Sequence, residues 1–345
     1  MSRVLIIAEA GVNHNGDMAL ALRLVDAAAD AGADVVKFQT FKAERLVTPR
    51  AAKAAYQQET TDAAESQLAM LQRLELDAAA HAALLARCRE RGIGFLSTPF
   101  DEDSADMLVK MGLEILKIPS GEITNLPYLR HLGGLRKRVL LSTGMCGLDE
   151  VAEALEVLRA AGTPPTDVTL LHCNTQYPTP FADANLLALR TLAQAFPRCP
   201  VGYSDHTPGI ECPLAAVALG ASVIEKHFTL DRNMEGPDHK ASLEPHELAA
   251  MVAGVRRVEL ALGHGRKEPS PSERENILVA RRYLVAGRDI AKGEAYSPEN
   301  VAVRRTGSGG VSPMRWDEIM GRPAPRALAA GRSEEHTSEL QSRLH

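Results

Sequence analysis

The sequence predicts a (β/α)8 (TIM) barrel followed by a small second domain. Between about Val4 and Leu262, short apolar runs that end in polar or glycine residues alternate with Ala- and Leu-rich stretches of helical period. Eight such units over about 260 residues match the size of a closed barrel. An open, doubly wound sheet is the alternative. Against it, no G-x-G-x-x-G follows any predicted strand, and eight even units favour closure.

The positions of the elements follow from these periods. Strands are expected at residues 4–8, 35–38, 94–97, 115–118, 139–141, 168–171, 201–203 and 222–224. Helices are expected near residues 18–31, 78–91, 102–111, 125–133, 148–161, 185–195, 210–219 and 244–262. The connection over residues 40–77 is too long for a plain loop. On a barrel it follows the second strand, where it either covers the substrate or is a helical decoration without a functional role.

The chain changes character after the predicted barrel, residues 1–262. A linker rich in Gly, Pro, Ser and charge is expected over residues 263–281. Residues 282–331 hold short apolar segments between turns, which indicates a small domain without a large core. Residues 332–345 have no apolar period and look like a translated read-through of a sequencing adaptor. We therefore expect a non-native tail and a truncated second domain.

Bulk composition excludes several classes of protein. The net charge of -5 gives no electrostatic footprint for nucleic acid or an anionic membrane. The longest apolar runs are shorter than the roughly 18–20 residues that span a bilayer. The N-terminal apolar run ends at Glu9 and is too short for a signal peptide. Five cysteines without a CxxC pair suggest reduced thiols, so we expect a cytoplasmic protein.

Two histidines close the last two predicted strands. In GYSDHTPGIECPLAAVALGASVIEKHFTL, residues 202–230, each strand ends in a polar cluster, with His206 in the first and His227 in the second. If these strands are parallel neighbours, both imidazoles emerge at the same end of the sheet. Such a pair suits Mn²⁺, Mg²⁺, Co²⁺ or Zn²⁺, and Asp205 could orient one imidazole. The alternative is that each histidine is a hydrogen-bonded core residue.

Lysines and carboxylates complete the predicted polar rim. Lys37 and Lys117 lie inside apolar strands, and if they point inward their charges, with nearby hydroxyls, suit a phosphate. Outward-pointing, snorkelling side chains are the alternative. Glu9 and Glu122 could handle a proton or polarise a metal-bound water, whereas the direction of Glu225 is left open. A rival reading is a pyruvate aldolase in which one of the two lysines forms a Schiff base.

A family resemblance rests on a series of strings in order along residues 3–331. They are AEAGVNHNGD, VVKFQT, STPFD, KIPSGEITN, LSTGM, LHCNTQYPTP, the two-histidine stretch continued to DRNMEGPDHKASLEP, and VRRTGSGGVSPM. These strings resemble the sialic acid synthase (N-acetylneuraminate synthase) family. The resemblance implies a barrel followed by an antifreeze-like (SAF) domain, which covers the partner's active site in a domain-swapped homodimer.

The resemblance also implies a reaction. Members condense phosphoenolpyruvate with an N-acetylated hexose such as ManNAc or a 2,4-diacetamido-trideoxyhexose, use a divalent metal, and release phosphate. Mn²⁺ is the expected metal, with Mg²⁺ or Co²⁺ as alternatives. Legionaminic and pseudaminic acid synthases belong to the same family, and the CNTQYPTP string leans towards the legionaminic branch. The least favoured alternative is a carbohydrate-binding protein without enzymatic activity.

The matching motifs assign the family's site roles to individual residues of this sequence. The resemblance implies metal ligands at His206 and His227, and catalytic carboxylates at Glu9 and Glu122. It implies phosphoenolpyruvate contacts from Lys37, Thr98, Lys117, Ser120, Ser142 and either Asn174 or Thr175. The sugar acceptor is expected to meet Gln39, Tyr177, Asp238 and, from the second domain, Arg305. Two departures from the family pattern are Thr306, where a proline is usual, and the pair Asn174-Thr175.

Overall fold

A computed structural model of the chain describes residues 3–62 and 64–333. It divides into two compact units, with the boundary between Gly263 and His264. None of the helices in these described ranges is long and apolar enough to cross a membrane.

The first unit is built on eight parallel strands. They are Leu5–Gly11 (β1), Val35–Thr40 (β2), Gly94–Pro99 (β3), Ile115–Ile118 (β4), Arg138–Ser142 (β5), Val168–His172 (β6), Val201–Asp205 (β7) and Val223–His227 (β8). The sheet order is β3-β2-β1-β8-β7-β6-β5-β4, and β3 and β4 lie side by side, so the sheet forms a nearly closed barrel. The barrel prediction is confirmed, and the open-sheet alternative is wrong.

Helices follow the strands and pack around the barrel. They are Met18–Asp30 (α1), Ala43–Leu46 (α2), Ala55–Thr60 (α3), Gln67–Arg73 (α4), Ala78–Arg91 (α5), Glu102–Lys110 (α6), Leu126–Gly134 (α7), Leu148–Ala161 (α8), Ala188–Ala195 (α9), Glu211–Ala218 (α10) and Pro245–Leu262 (α11). Several begin at a carboxylate that accepts hydrogen bonds from the first turn, as Asp17 does for α1 and Asp77 for α5. Leucine and valine side chains of helices and strands form the core between the two layers.

The barrel interior has an apolar floor beneath a polar layer. Ile7, Leu96, Leu140, Leu171 and Val223 belong to one buried apolar cluster. Because side chains alternate along a strand, the residue two positions after each of these points to the same face. Those positions hold polar side chains on four of the strands: Glu9, Thr98, Ser142 and Glu225. The sheet therefore places its functional groups at the carboxyl ends of the strands, above a closed floor.

The long connection after β2 carries helices α2 to α4. Phe41, Met70 and Leu74 from this segment form a buried cluster with Val12, which follows β1. The backbone N–H of Gly236, in the loop after β8, donates a 3.2 Å hydrogen bond to the carbonyl of Thr60. The segment is therefore fixed to the loops that follow β1 and β8.

The second unit is small. It contains Pro271–Ala280 (α12), Arg282–Ala286 (β9), Val301–Arg305 (β10) and Trp316–Ile319 (α13), with β9 and β10 antiparallel. Leu284, Ile290, Val301 and Leu328 are part of its core. The segment predicted as a linker contains α12, which begins at a capping box formed by Ser270 and Glu273.

The predicted tail begins inside the folded part of the second unit. The carbonyl of Arg332 accepts a 2.9 Å hydrogen bond from the backbone N–H of Ala286, and Ser333 is buried. The rest of the predicted tail, residues 334–345, lies outside the described residues.

Candidate active site

A carboxylate, an ammonium group and a hydroxyl from three neighbouring strands meet at the barrel mouth. The Nζ of Lys37 on β2 lies 2.8 Å from Oε2 of Glu9 on β1. It also donates a 2.7 Å hydrogen bond to Oγ1 of Thr98 on β3. Each of the three residues is 2% exposed. Lys37 therefore points into the barrel, and the snorkelling alternative is wrong for it.

Glu225 on β8 links this group to the opposite side of the barrel. Its Oε1 accepts hydrogen bonds from Nζ of Lys117 on β4 at 3.0 Å and from Oγ of Ser204 on β7 at 2.9 Å. Its Oε2 lies 3.6 Å from Nζ of Lys37. Glu225 thus bridges both lysines, although the direction of its side chain could not be predicted from the sequence. The available signal was its position two residues before His227, which puts both side chains on one face of the strand.

The pKa values of the two carboxylates, Glu9 and Glu225, are shifted in opposite directions. Burial raises the pKa of Glu9 to about 7, although Lys37 opposes that rise. Burial also acts upwards on the pKa of Glu225, but Lys117 and Lys37 together hold it well below its usual range. Burial would lower the pKa of Lys37, yet Glu225 and Glu9 raise it. Near neutral pH the site therefore contains an ionised carboxylate beside one that can carry a proton.

The two histidines lie together, with ring centroids 5.4 Å apart. Nδ1 of His206 is hydrogen-bonded to the backbone carbonyl of Asn174. A carbonyl only accepts, so Nδ1 carries the hydrogen and Nε2 keeps its lone pair. Nδ1 of His227 is buried without a hydrogen-bond partner and lies 3.8 Å from Oδ2 of Asp238. Burial lowers the pKa of His206 to about 4 and that of His227 well below its usual value, so both imidazoles are neutral.

This pair fits a divalent metal in donor chemistry. Neutral imidazole nitrogen is the form that ligates metals, and an unpartnered nitrogen in a buried ring is costly without a ligand. A metal held by His206 and His227 alone would have coordination positions left for water and substrate oxygens.

The expectation that the side chain of Asp205 orients an imidazole by direct contact is wrong. Its side chain lies on the other face of β7, where it pairs with Lys226 and accepts hydrogen bonds from Thr207. The group that fixes the ring of His206 is instead the carbonyl of Asn174. Alternation explains the difference, because neighbouring residues on a strand face opposite sides.

Three of the residues predicted for the sugar border the histidines and Glu9. The ring of Tyr177 lies 4.1 Å from that of His206 and 5.5 Å from that of His227, between centroids. Nε2 of Gln39 lies 3.5 Å from Oε1 of Glu9. Asp238 is buried, and burial raises its pKa to about 6.

A second polar group surrounds Gly144, just after β5. The backbone N–H of Gly144 donates a 3.0 Å hydrogen bond to Oγ of Ser120, which lies 3.2 Å from Sγ of Cys173. A Cβ on Gly144 would lie 2.9 Å from Cγ2 of Thr175, so Thr175 borders this group. Ser142, buried at the end of β5, is two residues away in the chain.

The side chain of Asn174 accepts a hydrogen bond within its own turn. Its Oδ1 accepts a 2.8 Å hydrogen bond from the backbone N–H of Gln176. Of the pair Asn174-Thr175, the structure thus places Thr175 beside Ser120 and gives Asn174 a supporting position beneath His206.

Glu122 and Arg305 are the remaining predicted residues. Glu122 lies in the turn after β4 and accepts a 2.6 Å hydrogen bond from Nδ2 of Asn125. No described hydrogen bond or ion pair connects Glu122 to Glu9 or Glu225. Arg305 ends β10 in the second unit and is exposed.

Comparisons with known proteins agree with the predicted family. The NeuB family model matches residues 24–267, and the SAF domain model matches residues 281–333. An N,N'-diacetyllegionaminic acid synthase from Campylobacter jejuni is 54% identical over 326 residues, covering 94% of this chain and 97% of the relative. A second N,N'-diacetyllegionaminic acid synthase, from Legionella pneumophila, is 46% identical over 328 residues, with coverages of 94% and 92%.

A solved structure shares the architecture. The N-acetylneuraminic acid synthetase of Leptospira borgpetersenii, crystallised with citrate, is 40% identical with a TM-score of 0.70, covering 80% of this chain and 90% of that one. The predicted resemblance to sialic acid synthases is confirmed. With a matching barrel, a matching C-terminal domain and relatives aligned over nearly their full length, the chain belongs to the NeuB family.

Proposed function

We propose that this protein is a nonulosonic acid synthase that condenses phosphoenolpyruvate with an N-acetylated hexose and releases phosphate. The observation that carries the proposal is the buried arrangement of Lys37, Glu225 and Lys117 beside two neutral imidazoles. The two relatives named legionaminic acid synthases favour a 2,4-diacetamido-trideoxyhexose over ManNAc as acceptor. The pseudaminic acid synthase of Helicobacter pylori is only 32% identical, which favours the legionaminic over the pseudaminic acceptor.

Phosphoenolpyruvate is assigned to the lysine side of the site. Its phosphate and carboxylate carry negative charge, which the buried Lys37 and Lys117 can neutralise. Hydroxyl groups that can complete its hydrogen bonds line the same region: Thr98, Ser120, Ser142 and Thr175. The acceptor sugar is assigned to the side bordered by Gln39, Tyr177 and Asp238.

His206, through Nε2, and His227, through Nδ1, would hold a divalent cation, with Mn²⁺ preferred and Mg²⁺ or Co²⁺ as alternatives. When bound, the cation supplies Lewis-acid polarisation of the aldehyde oxygen of the open-chain sugar. Asn174 holds the ring of His206 in the tautomer that leaves Nε2 available.

The carboxylates are assigned to proton transfer. C3 of phosphoenolpyruvate forms a bond to the aldehyde carbon, water adds at C2, and phosphate leaves by cleavage of the C2–O bond. The water must lose a proton and the aldehyde oxygen must gain one. Glu225, ionised, and Glu9, which can carry a proton near neutral pH, provide an acceptor and a donor in the same layer.

The assembly is proposed to be a homodimer in which the SAF domain of one subunit covers the barrel of the other. Apolar side chains are exposed after β5 and β6, at the end of the barrel that holds the site. They are Met145 (71%), Phe181 (57%) and Leu187 (63%). In this arrangement Arg305 would reach the N-acyl group of the partner's acceptor. A cytoplasmic location stays a prediction.

Phosphate release tests the reaction and the acceptor together. The metal-stripped protein is mixed with phosphoenolpyruvate and either ManNAc or a 2,4-diacetamido-trideoxyhexose, with Mn²⁺ or EDTA. We expect release that depends on acceptor and metal, and its loss in His206→Asn and His227→Asn. His246→Asn, at a histidine whose side chain is 77% exposed, serves as the control. Near-normal metal-dependent release by both site variants would contradict the proposal.

A further inference from the structure

A fully buried ion pair joins β7 and β8 on the face of the strands opposite to the two histidines. Lys226 and Asp205 are both 0% exposed, and Nζ of Lys226 contacts Oδ2 of Asp205. The two residues are partners in the parallel ladder between β7 and β8. Each immediately precedes one of the histidines, so the ion pair joins the two strands one residue before His206 and His227.

The same pair fixes the backbone on the far side of His206. Oδ1 of Asp205 accepts hydrogen bonds from the backbone N–H of Thr207 at 3.0 Å and from its Oγ1 at 2.8 Å. Nζ of Lys226 donates to the carbonyl of Thr207. The residue before His206 and the residue after it are therefore both tied to a single ammonium group on β8.

A matching link lies on the inner face of the strands. Oγ of Ser204 donates to Oε1 of Glu225, and these residues are also ladder partners. β7 and β8 are thus cross-linked on both faces in consecutive register positions. The backbones that carry His206 and His227 have little freedom to shift relative to each other.

Stability alone does not account for a charged pair at this place. Burying two charges costs desolvation free energy, and well-packed apolar residues often serve stability as well or better. What a paired and hydrogen-bonded ammonium group adds is a fixed geometry at several backbone and side-chain atoms at once.

We propose that Asp205 and Lys226 are positioning residues that hold His206 and His227 at the separation required by a divalent cation. The inference rests on the proposed function, since it takes the two histidines as the cation's ligands. The pair itself faces away from the substrate, so it acts through the backbones of the histidines.

The test measures Mn²⁺ binding to the metal-stripped protein by electron paramagnetic resonance of free Mn²⁺. In Lys226→Met we expect affinity to fall by about tenfold or more, the size typical of lost support around a ligand. Asp205→Asn should show the same loss. KM for phosphoenolpyruvate at saturating Mn²⁺ should change much less, because Lys37 and Lys117 lie on the inner face.

A matched control separates positioning from general destabilisation. Lys53 is also a buried lysine, bonded to Thr61 and Asp62 in the segment after β2. Lys53→Met should keep wild-type Mn²⁺ affinity even where its thermal stability falls. If Lys226→Met does not fold, Thr207→Val removes one hydrogen bond of the same network and should still weaken Mn²⁺ binding.

The outcomes distinguish this inference from the function on which it rests. If wild-type protein binds Mn²⁺ and His206→Asn does not, the metal site stands. Unchanged Mn²⁺ affinity in folded Lys226→Met then overturns the positioning role alone. If His206→Asn and His227→Asn bind Mn²⁺ like wild type, the proposed metal site is wrong and the inference is overturned with it.

Discussion

Lys117 on β4 donates a 3.0 Å hydrogen bond to Glu225 on β8, across the barrel. In the same layer Lys37 pairs with Glu9, so two ammonium groups face two carboxylates. An anionic substrate must therefore compete with these carboxylates for the lysines. When it takes a lysine, the displaced carboxylate loses a positive neighbour and its proton affinity rises. We therefore expect this arrangement to couple substrate binding to proton transfer.

Glu225→Gln tests that coupling. The amide can still accept hydrogen bonds from Lys117 and Ser204, but it cannot take a proton from water. We expect kcat for phosphate release to fall by about a hundredfold or more. KM for phosphoenolpyruvate should not rise, since the lysines lose a competing carboxylate. Glu114→Gln, at a side chain that is 70% exposed, is the control for the substitution. A raised KM with unchanged kcat would assign Glu225 to binding instead.

Neither buried lysine is expected to form a Schiff base. Such a nucleophile must be a neutral amine, whereas Glu225 and Glu9 raise the pKa of Lys37 and Glu225 pairs with Lys117. Incubation with pyruvate and borohydride should therefore leave the intact mass of the protein unchanged. An adduct mapped to Lys37 or Lys117 by peptide mass spectrometry would contradict this prediction and support the pyruvate aldolase hypothesis.

The barrel was predictable from sequence because each strand has an apolar run, but the ends of the strands were not. The last strand was predicted to end at Ile224, whereas β8 continues to His227. Glu225 and Lys226 look like loop residues in the sequence. In the fold Glu225 pairs with Lys117 and Lys226 pairs with Asp205. Ion pairs between residues far apart in the chain cannot be predicted from a single sequence.

The roles of single site residues were harder to predict. Glu122, assigned as the second carboxylate by its motif, stays a prediction, and in the structure its turn pairs it with Asn125. Asp205 was assigned to an imidazole because of its adjacency in sequence, although alternation turns it to the other face. Helix α12 was missed although Ser270 and Glu273 have the spacing of a capping box.

Gly144→Ala should weaken phosphoenolpyruvate binding. An added Cβ would lie 2.8 Å from Oγ of Ser120 and 2.9 Å from Cγ2 of Thr175, so at least one of them must move. Because displacement of a binding group by about an ångström is costly, we expect KM for phosphoenolpyruvate to rise by about tenfold. Gly134→Ala, where a Cβ meets nothing within 4 Å, is the matched control. Equal KM values in both variants would remove Ser120 and Thr175 from the binding site.

A buried histidine outside the proposed metal site, His14, predicts a loss of stability in mild acid. Burial lowers the pKa of His14 to about 4, whereas in the unfolded chain the imidazole titrates near its ordinary pKa of 6.5. The folded state therefore excludes a proton that the unfolded state binds below pH 6.5. The stabilisation is complete above that pH and is lost as pH falls towards 4, by about 2 kcal/mol between pH 7 and pH 5.

Urea unfolding at pH 7 and pH 5 measures this effect. The wild-type protein should lose more unfolding free energy than His14→Gln over this interval, although the variant is less stable at pH 7. His246→Gln, at an exposed histidine, should follow the wild type. Parallel pH dependence in wild type and His14→Gln would show that His14 is protonated equally in both states.

Subunit mixing tests the domain-swapped dimer. If Arg305 serves the partner's site, a barrel with intact histidines works only when its partner carries Arg305. Arg305→Ala and His227→Asn should each be nearly inactive alone. After unfolding, mixing and refolding, half of the dimers are mixed, and each has one complete site, so about a quarter of wild-type activity should return. A chain carrying both substitutions, mixed with Arg305→Ala, is the control and should restore nothing. If the two single variants also restore nothing while light scattering shows dimers, Arg305 serves the site of its own subunit.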